Sequence, residues 1–166
     1  MAAWERRAIR PRSGPRAAAA TAVAVTLVVV ATAGPVAGQE RSAAGRIKLT
    51  SGEAFIIRQS TQLPARTGQA LFEADVLRTG ADGRVGLTLK DETRLSLGPN
   101  SEVQLEKFLF APSDGQLAFV ARFVRGIATY VSGRIAKLSP DAVRLETPTA
   151  IIGVRGTRLA IRVETK

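Results

Sequence analysis

The sequence predicts an all-β domain of short strands and tight turns, preceded by an N-terminal signal helix. Three observations carry this expectation. From about residue 45 onward apolar residues alternate with polar or small ones, the period-two signature of half-buried strands. Clusters of Gly, Pro, Asp, Asn and Ser separate the alternating runs at intervals of about 8–12 residues, as in sandwiches, barrels and solenoids. No window after residue 45 holds a sustained i, i+3, i+4, i+7 apolar stripe; Arg66 to Leu77, broken by Gly68, supports one helical turn at most.

The first forty residues read as an export signal. Arg6, Arg7, Arg10, Arg12 and Arg16 precede an uncharged run from Ala17 to Ala33. Gly34-Pro35 and the small residues Val36-Ala37-Gly38 then lead into polar Gln39-Glu40. That order is the order of a secretory signal peptide. Cleavage after Gly38 gives a signal peptide over 1–38, a short linker over 39–45 and a β domain over 46–166. The alternative is an uncleaved membrane anchor, for which the run is short and its Ala and Thr weakly apolar.

Strands are expected at Ile47/Leu49, Ala54/Ile56, Val85/Leu87/Leu89, Leu95/Leu97, Val103/Leu105 and Leu159/Ile161/Val163. The chain reverses between them at Ser51-Gly52, Gly80-Ala81-Asp82-Gly83, Lys90-Asp91-Glu92, Gly98-Pro99-Asn100-Ser101, Pro112 to Gly115, Ser132-Gly133 and Ser139-Pro140-Asp141. Gln116–Val131 is more continuously apolar and reads as a hairpin turning at Arg125-Gly126, where glycine permits positive φ. Tight corners between Asp75 and Leu105 leave two arrangements open, a stacked β-sandwich or a β-solenoid.

Composition excludes several functions. The chain has no cysteine, hence no disulfide framework, thiolate metal site or thiol nucleophile. It has no histidine, which removes the usual general base and the commonest metal ligand. Neither Ser-x-x-Lys nor Gly-x-Ser-x-Gly occurs. Asp91-Glu92, Glu102/Glu106 and Asp75 with Asp82 are the remaining carboxylate pairs, and each sits in a turn or on a polar strand phase where a solvated role is expected. No catalytic residue, metal site or cofactor is assigned.

Seven motifs follow one another in order: Gly52-Glu53-Ala54, Leu77-Arg78-Thr79-Gly80, Arg84 to Leu89, Thr93 to Leu105 with its Leu97-Gly98-Pro99-Asn100-Ser101 corner, Val124-Arg125-Gly126, Glu146 to Thr149 and Val154-Arg155-Gly156-Thr157. Together, in this order, they resemble the FecR domain, a bacterial extracytoplasmic module. Ala74-Asp75 stands where that family often has Gly-Asp, and Asp91-Glu92 where it commonly has Asp-Gly. Both exchanges remove a permissive glycine and are expected to adjust the turn without abolishing it. The resemblance implies an all-β fold and an extracytoplasmic site of action. Regulators of that family also carry an anti-sigma segment before a membrane span and a receptor-contacting C-terminal region. Here only 16 residues precede the apolar run, so a stand-alone domain is expected.

The formal charge of +10 invites an acidic partner. Arg158 and Arg162, an even number apart, share a face if their strand is unbroken, and Arg155 lies just before them; these three are the candidate binding residues. Gly80, Gly98, Pro99, Asn100, Gly126, Gly156 and Thr157 are assigned as structural turn residues. The expected partner is a protein or an anionic envelope polysaccharide. Nucleic acid is not expected, because basic residues alternate with acids and aromatics make up only 5%. The membrane enters only through an uncleaved N-terminus. Other readings are a structural, homo-oligomeric envelope component pairing through strand edges, and an accessory of a cell-surface sigma/anti-sigma system.

Overall fold

The computed structural model describes residues 42–164. The expected signal peptide and the start of the expected linker lie outside the described residues. The strands are β1 (Gly45–Ser51), β2 (Ala54–Arg58), β3 (Thr61–Pro64), β4 (Ala70–Leu71), β5 (Val76–Thr79), β6 (Arg84–Leu89), β7 (Arg94–Leu97), β8 (Glu102–Ala111), β9 (Gln116–Val131), β10 (Val143–Glu146), β11 (Ile151–Gly153) and β12 (Arg158–Val163). One short α-helix, α1 (Arg134–Leu138), and two single-turn 3-10 helices, Pro112–Asp114 and Pro140–Ala142, interrupt them. The all-β expectation holds. The arrangement left open between sandwich and solenoid is a single sheet, curled into a half-barrel, in the order β3-β2-β5-β8-β9-β7-β6-β1-β4. Strands β10 and β12 also pair with β9, and β11 pairs with β10.

Strand β9 makes the curl, and here the sequence reading needs correction. Arg125-Gly126 is not a hairpin turn. The 16 residues of β9 run through it as one strand. Gly126 has φ +87°, and just before it, at Val124, the register against β8 slips by one residue. The result is a β-bulge, which bends a strand without ending it. Before the bulge β9 pairs with β8 and β10; after it, with β7 and β12. A side chain at Gly126 would strike Ser101, whose Oγ accepts from Ile127 N at 2.9 Å and donates to Ile127 O at 2.9 Å. The glycine therefore serves close approach as well as conformation.

Every strand pair is antiparallel except β9 with β10. A parallel return needs a crossover. The segment after Val131 provides it through α1, whose Ile135 and Ala136 are buried. Five residues are too few to display helical periodicity, so this helix escapes a sequence reading, while no helix forms within Arg66 to Leu77. The inward phases of the strands converge on one apolar core in which Tyr130, Phe119 and Phe123 are the largest buried side chains. Phe119 and Tyr130 stack at 6.1 Å, and Phe108 meets Phe119 edge-on at 6.3 Å.

Tyr130, the chain's one tyrosine, is fully buried and its hydroxyl has no hydrogen-bond partner among the described residues. Burial first, and the nearby Asp91 charge second, push this phenol up to about 12 against a smaller opposing pull from the Thr93 hydroxyl, which is near but bonds Asp91 instead. A raised pKa means that the folded state holds its proton longer. Stability from this group is complete below pH 10 and is lost as pH rises through 12, by on the order of 2 kcal/mol. Alkaline unfolding followed by phenolate absorbance should show this step. Tyr130→Phe should remove it at little cost near neutral pH, since no hydrogen bond is lost; a cost above about 2 kcal/mol would show a hidden partner.

The two exchanged glycines are explained by the backbone. Ala74 (φ 68°) and Glu92 (φ 70°) both hold the left-handed conformation. The turns persist, as expected, at a cost an L-residue carries and glycine does not. Both side chains are exposed, so Ala74→Gly and Glu92→Gly should each raise the urea midpoint, by about 0.5–1 kcal/mol in stability. Unchanged or lowered midpoints would refute this account.

Candidate binding face

Alternation gives each strand of the curled sheet one inward and one outward phase. Five adjacent strands, β1-β6-β7-β9-β12, present their outward phases side by side, and cross-strand registers align those residues into rows. One row reads Arg46, Thr88, Arg94, Val131, Arg158. The next reads Leu49, Gly86, Ser96, Thr129, Ala160. In the third, Ser51 pairs with Arg84 and Ile127 with Arg162, on either side of Gly98, whose N–H donates to Ile127 O at 2.8 Å. Two rows bearing arginines thus flank a row of mostly small residues.

Arg46, Arg84, Arg94, Arg158 and Arg162 are all exposed. Among the described residues none of them forms a salt bridge, and no acidic residue belongs to the three rows. The β5-β8-β9-β10 side of the sheet is the internal comparison. There Arg78 bonds Glu102 at 3.0 Å, Arg125 bonds Glu102 at 3.2 Å, and Arg122 bridges Glu106 at 2.9 Å and Glu146 at 3.0 Å. One face neutralises its arginines internally and the other leaves them to solvent. Unpaired like charges on a sheet repel one another, a cost that an anion laid across them relieves.

The candidate residues are divided by this geometry. Strand β12 pairs with β9 in unbroken register, so Arg158 and Arg162 share the outer face. Arg155 does not join them; with Arg144 it lines a separate open groove of ≈ 580 Å³ beside β10 and β11. Arg46, Arg84 and Arg94 escaped the sequence reading. Their signal was there in the polar phases of Arg84-x-Gly86-x-Thr88 and Arg94-x-Ser96, but which strands lie adjacent is a matter of topology.

The turn residues converge. Asn100 N donates to Gly80 O at 2.9 Å, Thr79 Oγ1 donates to Gly98 O at 2.7 Å and accepts from Ser101 N at 2.8 Å, and Ser101 packs under Gly126. Gly80, Gly98, Pro99, Asn100 and Gly126 therefore build one corner, at the edge of the arginine face. Gly156 (φ 58°) and Thr157 lie apart in the exposed bend before β12, where Thr157 O accepts from Ser132 N at 3.0 Å.

Two carboxylates expected in solvent are not there. Asp75 is 1% exposed and is gripped by Arg58; Asp91 is 0% exposed and bonds Thr93 and the start of α1. Turn residues here are covered because the turns fold back onto the sheet's ends. Asp82 remains exposed, with Oδ1 accepting from Glu53 N at 3.1 Å. Among the described residues no three metal-ligating side chains come together, and no helix is long and apolar enough to cross a membrane.

No curated protein and no solved structure shows significant similarity to the chain. The sequence pattern described as FecR protein matches residues 75–166, which takes in β5 through β12 and leaves β1 to β4 outside the match although they complete the same sheet. That stretch is more than half of the sequence, and the chain belongs to the FecR protein family.

Proposed function

We propose that the chain is a non-catalytic, exported binding module of the cell envelope that docks an anionic partner on the basic face of β1-β6-β7-β9-β12. One observation carries the reading: among the described residues the exposed arginines of this face have no carboxylate partner, while those beside β5 and β8 do. The family's association with cell-surface signalling regulators supports an envelope setting. Two of the sheet's edge strands are guarded against self-assembly by edge pairing, since β12 carries Arg158 and Arg162 and β3 ends in Pro64.

Binding of the purified chain to a soluble polyanion should weaken steeply with added salt. Converting Arg46, Arg94 and Arg158 together to Gln should lower affinity by about 10- to 100-fold, at roughly 0.5–1 kcal/mol per exposed charge. Converting Arg78, Arg122 and Arg125 to Gln should change it by less than about threefold, because their charge is already spent on glutamates. Equal losses in both triple variants would mean that net charge alone, and not this face, attracts the partner.

A further inference from the structure

The geometry points to a specific occupant for the basic face: an extended acidic polysaccharide lying across the strands, over the row Gly86, Ser96, Thr129, Ala160. The inference rests on the proposed anion-docking role and adds the chemistry and the direction of the ligand. Strands in a sheet lie about 4.8 Å apart. Arg46, Arg94 and Arg158 sit on β1, β7 and β12, each two strands from the next. Their charges therefore repeat every ~10 Å across the sheet. That distance is spanned by two sugar units, so a chain with one carboxylate on alternate sugars matches it. An extended acidic peptide presents side chains on one side every ~6.8 Å and falls out of step.

The row beneath such a chain is suited to it. From β6 to β12 the floor is low, since Gly86 and Ala160 add almost no height, and Leu49, 61% exposed, stands up only at its β1 end; Ser96 and Thr129 offer hydroxyls that are committed to no other group among the described residues. Arg84 and Arg162 close the far side, so the chain runs between two lines of guanidinium groups. No aromatic side chain belongs to the three rows. A neutral glycan thus finds no stacking platform, and recognition depends on charge with hydroxyl contacts between.

Titration of the full chain with hyaluronan fragments, which carry a carboxylate on every second sugar, tests this at low salt. Affinity should climb from the disaccharide to the hexasaccharide, which spans the ~19 Å from β1 to β12, and then level off. Poly-glutamate of equal charge should bind about tenfold more weakly. The double variant Ser96→Ile/Ala160→Ile keeps every arginine and uses a residue favoured in strands. It should weaken hyaluronan binding about tenfold by raising the floor, with an unchanged melting curve and unchanged poly-glutamate binding. If poly-glutamate binds as tightly as the glycan, the occupant is an acidic protein surface, and if the double variant binds both polymers normally, no glycan lies over this row; in either case this inference fails and the anion-docking role survives. If neither polymer binds, both fall.

Discussion

Gly133→Ala is expected to cost about 3–5 kcal/mol, a large part of the stability of a domain this size. The reason is space, not conformation. Gly133 has φ −98° and ψ −152°, which any residue adopts. An added Cβ, however, would collide with the Asp91 carbonyl oxygen and the Thr93 amide nitrogen. Both are backbone atoms held from two sides: Asp91 O accepts from Arg134 N at 2.6 Å, and Leu89 N donates to Thr93 O at 2.8 Å. The turn cannot retreat without breaking the β6–β7 hairpin or the start of α1. Between them lies a buried polar knot. Asp91 Oδ1 accepts from Thr93 N at 3.1 Å, and Oδ2 accepts from Thr93 Oγ1 at 2.7 Å and from Ile135 N at 3.4 Å. A carboxylate from a distant turn thus caps α1, where Gly133 has no side chain to do so. Asp91→Ala strands these donors and should cost about 2–4 kcal/mol, while Asp91→Asn, retaining one acceptor, should cost less. Urea unfolding would decide the matter; a Gly133→Ala loss below about 1 kcal/mol would show that the turn shifts freely.

The alternating strands β1, β2, β6, β7, β8 and β12 were readable because burial on one face imposes a period of two. Within β1 a register shift between Ile47 and Leu49 breaks that period and turns Leu49 outward, 61% exposed. No local pattern announces such a slip. Strands β3, β4 and β11 are short and mostly exposed or half-buried, so they carry little pattern; their pairing is dictated by neighbours. Gly126 illustrates the harder limit: positive φ was legible, but whether the chain reverses or bends there depends on strands far away in sequence. The basic face shows the same division. Each arginine's outward phase is a local fact, while their alignment across five strands comes from register. Asp75 and Asp91 were misplaced because a turn's polarity does not tell which side of it the sheet will cover.

Arg58→Leu is expected to cost about 3–5 kcal/mol, since it abandons a carboxylate that the fold has removed from water. Asp75 is 1% exposed. Arg58 reaches it with two bonds, Nε to Oδ1 at 2.8 Å and Nη2 to Oδ2 at 2.7 Å, and Nη2 also donates to Ala70 O at 3.0 Å. The guanidinium lies 4.4 Å from the centre of the Phe72 ring, and Phe72 N donates to Asp75 Oδ2 at 2.8 Å. The bond to Asp75 is also the main reason that Arg58 holds its proton more tightly than usual. These contacts latch the end of β2 to β4 and to the turn entering β5, fastening strands outside the family match to the first residue within it. Arg58→Lys should lose about 1–2 kcal/mol, because one ammonium cannot reproduce the two-pronged geometry. The double variant Arg58→Leu/Asp75→Asn removes both charges and leaves Phe72 N an acceptor, so it should be more stable than Arg58→Leu alone. Additive losses in that cycle would mean that the two groups stand independently in solvent, and the latch would be refuted.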